Sequence, residues 1–200
     1  YFETFNKDNV FLIDLKEHTI QKITTNTLES DKTYEVDTLI MATGFDAITG
    51  ALTNIDISGR GDVKLKDQWK GGAKSYLGIG ITNFPNLFTV TGPGSPSVLS
   101  NMMPSIEQHV NWITDCIEWM VKNDKTVIES SQTAEDDWMV LVNEIADTTV
   151  FTDTKSWYNG SNIETKAKSF LPFIGVPVYT EMLDEIVSEN YKGFIFDKAN

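Results

Sequence analysis

The chain is poor in the residues that build several common kinds of site. Its single cysteine, Cys116, excludes an internal disulfide and fits a reducing compartment such as the cytoplasm. Two histidines, His18 and His109, are too few to form a metal site with that cysteine. Cys116 falls on an apolar helical pattern, and we expect a buried structural thiol. His109 precedes an apolar position of the same helix and is predicted to be partly exposed, not a catalytic base.

Basic residues are scarce relative to acidic ones. Sixteen Lys and Arg against 29 Asp and Glu give a formal net charge of −13 and an isoelectric point near 4.5. Nucleic acids and anionic membranes bind basic surfaces, so neither is expected as a partner. The longest apolar runs are far shorter than the roughly 20 residues of a membrane span. With 40% hydrophobic residues, the 200-residue chain is expected to fold around one sizeable core or parts of two domains.

Familiar catalytic and nucleotide-binding motifs are also missing. No serine lies in a Gly-x-Ser-x-Gly elbow, and three Gly-x-Gly pairs, at 59–61, 78–80 and 92–94, lack the third glycine of a dinucleotide fingerprint. The chain also starts at Tyr1 without a methionine or a targeting signature, which suggests a part of a longer protein. We therefore expect no self-sufficient catalytic group in these residues.

Residues 1–41 are predicted to form short strands separated by turns. Strand candidates are Val10–Leu15, Ile20–Thr24 and Tyr34–Met41, with a hairpin turn at Ser30–Lys32. Thr38–Ala42, which overlaps the last of these, is typical of a strand buried on both faces. The run stops at Thr43-Gly44, where another backbone or a ligand can approach closely. The pattern fits any buried strand with a glycine turn as well as the exit from a nucleotide-binding domain.

The middle of the chain predicts a strand, a loop and a helix. Residues 47–85 are expected to be irregular with short strands, and Asn86–Gly92 is a second buried-strand candidate. A Gly- and Pro-rich loop follows, and then a helix that starts near Pro104 with Ser105 and Gln108 as its capping box. Its predicted buried face is Ile106, Val110, Ile113, Ile117 and Met120.

Further helices are predicted in the last third. Thr133 and Asp136 form a partial capping box for a helix that buries Trp138, Leu141, Val142 and Ile145. The acidic run 135–137 is expected to be a solvated helix start. Turns dominate residues 151–177. A helix over 178–189 and a short strand over 191–196 close the chain.

Two segments could carry chemistry. The strand–loop–helix arrangement from Leu87 to Val121 presents a helix N-terminus, whose free N–H groups and dipole can hold negative charge that develops on a bound ring. A plain βα unit explains the same pattern. Trp157, in an irregular stretch bounded by turn residues, is either a binding residue or an anchor that pins its loop to the body.

Motifs along the whole chain resemble the C-terminal part of Baeyer–Villiger flavin monooxygenases of the cyclohexanone and phenylacetone monooxygenase type. Each motif is weak alone, but their order and spacing agree from end to end. The matching stretches are Tyr1–Val10, Ala42–Asp46, Phe84–Phe88, Thr91–Ser97, Ser100–Met102, Ser105–His109, Ser156-Trp157 and Tyr191–Phe194.

The resemblance implies an α/β flavoprotein with two Rossmann-like dinucleotide-binding domains and added C-terminal helices. Residues 1–41 would end the NADP-binding domain, and 42–200 would complete the FAD-binding domain with the substrate loop and helical additions. FAD and NADPH would be the cofactors of the full-length parent enzyme, whose substrates would be O2 and a small ketone. Whether the fragment itself binds either cofactor stays open.

The resemblance also implies site residues. Thr43, Gly44 and Phe45 would lie near the dinucleotides at the domain junction. The loop Pro93–Met102 would line the substrate pocket beside the flavin, with the helix N-terminus aimed at the flavin. A mobile loop carrying Trp157 would close over the nicotinamide cofactor and the substrate. The expected pocket walls are Ser97, Val98, Leu99 and Met102, and Met102 and Trp157 would contact a cofactor as well.

Departures from the family pattern limit these expectations. The cofactor-binding glycine motifs, the fingerprint motif and the active-site arginine of the family would lie upstream, so the isolated fragment is predicted to be inactive. Relatives tend to have Pro-Gly-Lys where this chain has Glu164-Thr165-Lys166, which puts a role for Lys166 in doubt. Alternatives are an N- or S-oxygenating flavin monooxygenase and a stand-alone binding module. Apolar surface meant for missing strands is expected to favour self-association.

Overall fold

A computed structural model describes residues 1–96, 100–161, 166–172 and 174–198. The chain divides into two compact units, Tyr1–Gly44 and Phe45–Asn200, which are described separately. The first unit contains β1 (Lys22–Ile23), β2 (Thr27–Glu29) and β3 (Thr33–Glu35). The second contains α1 (Gly50–Thr53), α2 (Leu65–Gln68), α3 (Met102–Lys122), β4 (Val127–Ser130), α4 (Gln132–Asp147), α5 (Val176–Ser188) and β5 (Phe194–Asp197).

The first unit is a small antiparallel meander in the order β1-β2-β3. Leu28 of β2 pairs with Tyr34 of β3, so the turn at 30–32 closes a hairpin as predicted. The strand expected over Ile20–Thr24 is present but shorter. The strand expected over Val10–Leu15 is wrong, since these residues form no ladder and continue into a turn.

The segment before Gly44 is not the buried strand that its sequence predicts. Residues 36–44 contain no strand, and the side chains of Ile40 and Met41 are 82% and 65% exposed. A strand buried on both faces needs neighbours for its backbone N–H and C=O groups. No described strand of this chain pairs with the segment, so its apolar pattern finds no sheet.

The core of the second unit lies between α3, α4, α5 and the antiparallel pair β4–β5. Aromatic rings dominate it, and burying each large apolar side chain stabilises the fold by about 1.5–3 kcal/mol. Its buried members are Tyr76, Leu77, Ile79, Trp112, Cys116, Met120, Ile128, Trp138, Val142, Tyr179, Leu183 and Tyr191. Cys116 is fully buried, as predicted, and burial raises the pKa of its thiol to about 12.

A second, smaller core lies under residues 47–85. This stretch is irregular as predicted, but its regular pieces are the short helices α1 and α2 where short strands were expected. The strand predicted over Asn86–Gly92 is also wrong. Thr89 donates its N–H to the carbonyl of Ile79 at 2.9 Å, but no ladder forms, and Asn86 and Thr91 both take a positive φ. The small core consists of Leu65, Trp69, Ala73, Ile81 and Phe84.

Helix α3 begins earlier than predicted and buries a different face. Its N-cap is Asn101, whose side chain accepts from the N–H of Met103, so the capping box at Ser105 and Gln108 is wrong. The predicted stripe lies partly outside the core, with Val110 and Ile117 both 46% exposed. The buried face of α3 contains small and polar side chains as well as large apolar ones, so counting only the apolar residues misplaces this face. The buried positions are Ser105, His109, Trp112, Cys116 and Met120.

Helix α4 also has its cap at a different residue from the one predicted. Ser131, not Thr133, is the N-cap and accepts from the N–H of Ala134 at 3.2 Å. Glu135 was expected in solvent but is 1% exposed. The last helix and the terminal strand are confirmed, whereas β4, the partner of that strand, was not predicted. None of the helices in the described ranges is long and apolar enough to cross a membrane.

Candidate functional site

The Gly92–Pro96 loop, which precedes α3, has a backbone fixed by buried side chains. Ser75 donates its hydroxyl to the carbonyl of Pro93 at 2.5 Å. The indole N–H of Trp138 donates to the carbonyl of Gly94 at 3.0 Å. Both donors are buried, so these bonds are shielded from water and hold the loop against α4 and the core.

Thr91, the residue before this loop, is held by His109 of α3. The Thr91 N–H donates to Nδ1 of His109 at 3.0 Å, and Nε2 of the same ring lies 2.9 Å from the hydroxyl of Tyr179 on α5. Tyr179 donates its own hydroxyl to the carbonyl of Leu77 at 2.5 Å. Because Nδ1 is an acceptor, the network assigns the ring proton to Nε2, which donates to Tyr179.

Burial controls the protonation of this pair. His109 is 1% exposed, not partly exposed as its position predicted, and burial lowers its pKa to about 4. Burial also raises the pKa of Tyr179. Both rings are therefore neutral at neutral pH, and the imidazole serves as one acceptor and one donor.

The N-terminus of α3 is the next part of the candidate site. Asn101 satisfies one of the free N–H groups, that of Met103, and Pro104 has none to offer. The first turn, every residue of which the structure describes, contains no acidic side chain. The positive end of the helix dipole is thus not neutralised locally and is suited to an anionic or electron-rich group. Met102 is half-buried at the first position of the helix.

Trp157 lies on a loop that Asn159 organises from inside. Asn159 is 1% exposed, and its amide group donates to the carbonyls of Phe151 and Thr154 at 2.9 and 3.0 Å. Its amide oxygen accepts from the Ser161 hydroxyl at 2.6 Å. Trp157 itself is 44% exposed, so a turn hydrogen-bonded through Asn159 presents part of its ring to solvent.

Lys166 connects the end of this stretch to the residue after Phe45. Its ammonium group bonds the carboxylate of Asp46 and the carbonyl of Ala47. The Lys166 side chain is only 18% exposed, so loss of its carboxylate partner would leave a largely buried charge unpaired. Although the sequence at 164–166 departs from the family pattern, Lys166 still forms an ion pair with Asp46.

The candidate residues fall into three groups by position. Thr43 and Gly44 end the first unit, and Gly44 takes a positive φ of 77° that favours glycine. Phe45, Met102 and Trp157 belong to the second unit, and Phe45 is 86% exposed. The predicted pocket walls Ser97, Val98 and Leu99 lie outside the described residues.

Sequence reasoning missed His109 as a buried support of the loop. The signal was present, since Ser105, His109, Trp112, Cys116 and Met120 are spaced at helical period. Because a serine and a histidine are among them, a search for apolar residues alone does not detect this buried face. No group of three or more histidine, cysteine or acidic side chains within the described part of the chain could hold a metal ion.

Comparison with known proteins identifies the class of protein that this fold and this loop define. No family model matches the chain. It is 40% identical over 197 residues to a cyclohexanone 1,2-monooxygenase from Acinetobacter sp, covering 97% of this chain and 36% of the relative. It is 38% identical over 198 residues to the phenazine N-monooxygenase PhzNO1 from Lysobacter antibioticus, with 98% of this chain and 36% of the relative covered.

Solved structures agree. A crystal structure of an "OTEMO complex with FAD and NADP" superposes with a TM-score of 0.89 at 34% identity over 98% of this chain and 37% of that one. The chain is therefore homologous to part of the flavin monooxygenases of the Baeyer–Villiger type, as its motifs indicated, and has their mixed α/β fold over that part. It spans about 36% of the length of the curated relatives that it matches.

Proposed function

We propose that the protein containing this chain is a flavin-dependent monooxygenase of the Baeyer–Villiger type. It uses FAD, NADPH and O2 to insert one oxygen atom beside the carbonyl of a small ketone, which gives an ester or a lactone. The observation that carries the proposal is the likeness to a cyclohexanone monooxygenase over nearly the whole chain at 40% identity. The one cysteine of this chain fits a reducing compartment, and we place the enzyme in the cytoplasm.

The N-terminus of α3 fits an isoalloxazine ring. FAD supplies the oxygen-activating and hydride-accepting chemistry when it is bound. Negative charge that develops on the pyrimidine side of the ring needs donors or a positive dipole, and α3 offers its N-terminus with no acid in the first turn. Met102, half-buried at that position, would contact both the cofactor and the substrate.

The loop ahead of α3 would form one wall of the ketone pocket. Ser75, Trp138 and His109 fix the loop base at Pro93, Gly94 and Thr91. A fixed loop base favours a pocket wall that orients a substrate and excludes water. On the resemblance, the proposed walls are Ser97, Val98, Leu99 and Met102, and their apolar members favour an apolar ketone.

The two units would serve different dinucleotides. We assign residues 1–41 to the end of the NADP-binding domain and 42–200 to the FAD-binding domain. Thr43, Gly44 and Phe45 would then contact a dinucleotide, and the exposed ring of Trp157 would close over the nicotinamide and the substrate. The bond from Lys166 to Asp46 supports placing the Trp157 stretch near Phe45, because it ties the end of that stretch to the residue after Phe45.

Full-length expression tests the proposal. We expect bound flavin, and NADPH oxidation that increases when a cyclic ketone is added. The 200 residues alone are expected to bind neither cofactor tightly and to show no turnover. A full-length protein without flavin and without ketone-dependent NADPH oxidation would refute the monooxygenase and favour a stand-alone binding module.

A second candidate is an N-oxygenating or S-oxygenating enzyme of the same fold. The 38% identity to a phenazine N-monooxygenase favours it specifically. The same cofactors would be used, with an amine, an aromatic nitrogen heterocycle or a sulfide in place of the ketone. Incubating the flavin-loaded enzyme with cyclohexanone, phenazine and a methyl aryl sulfide, and identifying the products by mass spectrometry, separates these chemistries.

A further inference from the structure

The backbone of Thr91 adopts an unfavourable conformation where the chain enters the loop. Its φ is 50°, in the left-handed region that β-branched residues rarely occupy. Such a conformation persists only when the surroundings hold it. The next residue, Gly92, is equally confined, since a Cβ there would lie 2.6 Å from the carbonyl oxygen of Gly78.

Three buried groups, linked by successive hydrogen bonds, hold the backbone of Thr91 in this conformation. The imidazole of His109 accepts from Thr91 N–H at 3.0 Å, and its Nε2 bonds Tyr179 at 2.9 Å. Tyr179 in turn donates to the carbonyl of Leu77 at 2.5 Å. The chain of bonds links the loop to α3, α5 and the turn at 76–80. Because Tyr179 fixes the ring orientation, Nδ1 always faces Thr91.

We propose that His109 is a positioning residue for the substrate pocket: with Tyr179 as its orienting partner, it locks Thr91 in its strained conformation and thereby sets where the Gly92–Pro96 loop lies. The inference rests on the proposed function, since it takes that loop as a wall of the ketone pocket. His109 itself touches neither cofactor nor substrate in this assignment. It acts through the backbone of Thr91.

Three variants separate the two bonds of the imidazole. His109→Leu removes both bonds and fills the space with an apolar side chain. His109→Asn keeps an amide oxygen near the position of Nδ1 and retains an acceptor for Thr91. Tyr179→Phe removes the orienting hydroxyl and leaves the imidazole in place. Cys116→Ala is the matched control, because it creates a small defect on the same buried face of α3 without touching Thr91.

The first measurement is hydrogen–deuterium exchange of the peptide covering residues 89–96, in the flavin-loaded full-length enzyme. Loss of one buried hydrogen bond is expected to speed exchange at Thr91 about tenfold in His109→Leu, less in Tyr179→Phe, and little in His109→Asn or Cys116→Ala. Unchanged exchange in both His109→Leu and Tyr179→Phe would overturn the positioning role. If His109→Leu does not fold, Tyr179→Phe alone decides this point.

Steady-state kinetics give the second measurement. We expect His109→Leu to raise the KM for the ketone about fivefold or more, with the KM for NADPH within about twofold, and His109→Asn to restore most of the ketone KM. Equal loss of kcat in all variants, the control included, would overturn the proposal in favour of general destabilisation. Faster exchange at Thr91 with an unchanged ketone KM would show that His109 positions the loop and that the assignment of the loop to the pocket is wrong.

Discussion

The backbone N–H of Thr82 donates a hydrogen bond of 2.8 Å to the carboxylate of Glu135, which is 1% exposed. The carboxylate thereby fastens the first turn of α4 to the turn at 81–84. Burial raises the pKa of Glu135, and the bond from Thr82 opposes that shift. The carboxylate thus accepts a buried hydrogen bond, but its charged form loses the hydration that it would have in water.

Glu135→Gln and Glu135→Ala separate the acceptor from the charge. A folded pKa raised above 4.5 contributes stability that is present below pH 4.5 and is lost as the pH rises through the folded value. We expect Glu135→Gln, which keeps an acceptor, to gain stability relative to the wild type as the pH rises above 4.5. Glu135→Ala should lose about 1–3 kcal/mol, because Thr82 is left unsatisfied.

Urea unfolding followed by tryptophan fluorescence measures both effects. All five tryptophans lie in the second unit, so the signal reports that unit alone. Glu118→Gln, an exposed substitution on α3, is the control and should not alter the pH dependence. Parallel pH profiles for the wild type and Glu135→Gln would contradict the assigned direction of the shift.

His109 should make the second unit sensitive to acid. Its folded pKa of about 4 lies below the ordinary value of 6.5, so the unfolded chain binds the proton first as the pH falls. Stability is fully present above pH 6.5 and is lost towards pH 4, by about 3 kcal/mol in total. In His109→Gln this acid slope should be flatter. His18→Gln, which alters the exposed pair with Asp31 in the first unit, should leave it unchanged.

The sequence predicted correctly those elements whose formation depends on neighbouring residues in the chain. Helix α5 and the hairpin at 30–32 followed from local periodicity and turn residues. Thr38–Ala42 has a clear strand pattern, but a strand forms only against partners, and none of the described strands pairs with it. A local sequence pattern therefore does not determine whether a segment finds a strand to pair with.

The candidate site was predictable in part. The motif series gave the family, which the comparisons with known monooxygenases support, whereas the role of the loop stays a prediction. The supports of the loop could not be predicted, because Ser75 and Trp138 reach it from segments 18 and 44 residues away. His109 was misplaced for a related reason: counting only apolar residues rotated the buried face of α3 away from its true position.

Asn159 should control access to the Trp157 loop. Asn159→Asp replaces the two amide donors with a carboxylate that faces the carbonyls of Phe151 and Thr154, so the loop should open. Tryptic cleavage after Lys155 in the native chain is expected to accelerate about tenfold or more. Asn143→Ala, which removes an exposed bond within α4, is the control. A cleavage rate within twofold of that control would show that Asn159 does not hold the loop.

The outer face of α3 should drive self-association of the isolated chain. Met103, Val110, Ile117 and Val121 line one face and are 62%, 46%, 46% and 73% exposed. Apolar side chains at such spacing form a helix-pairing stripe. We expect sedimentation to detect dimers or larger species at micromolar concentration. The double variant Ile117→Glu with Val121→Glu should shift them to monomer.

Val140→Glu, an equally polar change at an exposed position of α4, is the control for that experiment. It should leave the distribution of species unchanged. An isolated chain that stays monomeric throughout, or an equal response to both sets of variants, would show that the α3 face is not the associating surface.

The most direct test of the central claim is the fate of labelled oxygen. The full-length, flavin-loaded enzyme is incubated with NADPH, cyclohexanone and 18O2, and the product is examined by mass spectrometry. The account predicts a lactone that carries one 18O atom per molecule and one NADPH oxidised per lactone formed. NADPH oxidation that yields only hydrogen peroxide would contradict this prediction. So would a lactone that contains no 18O.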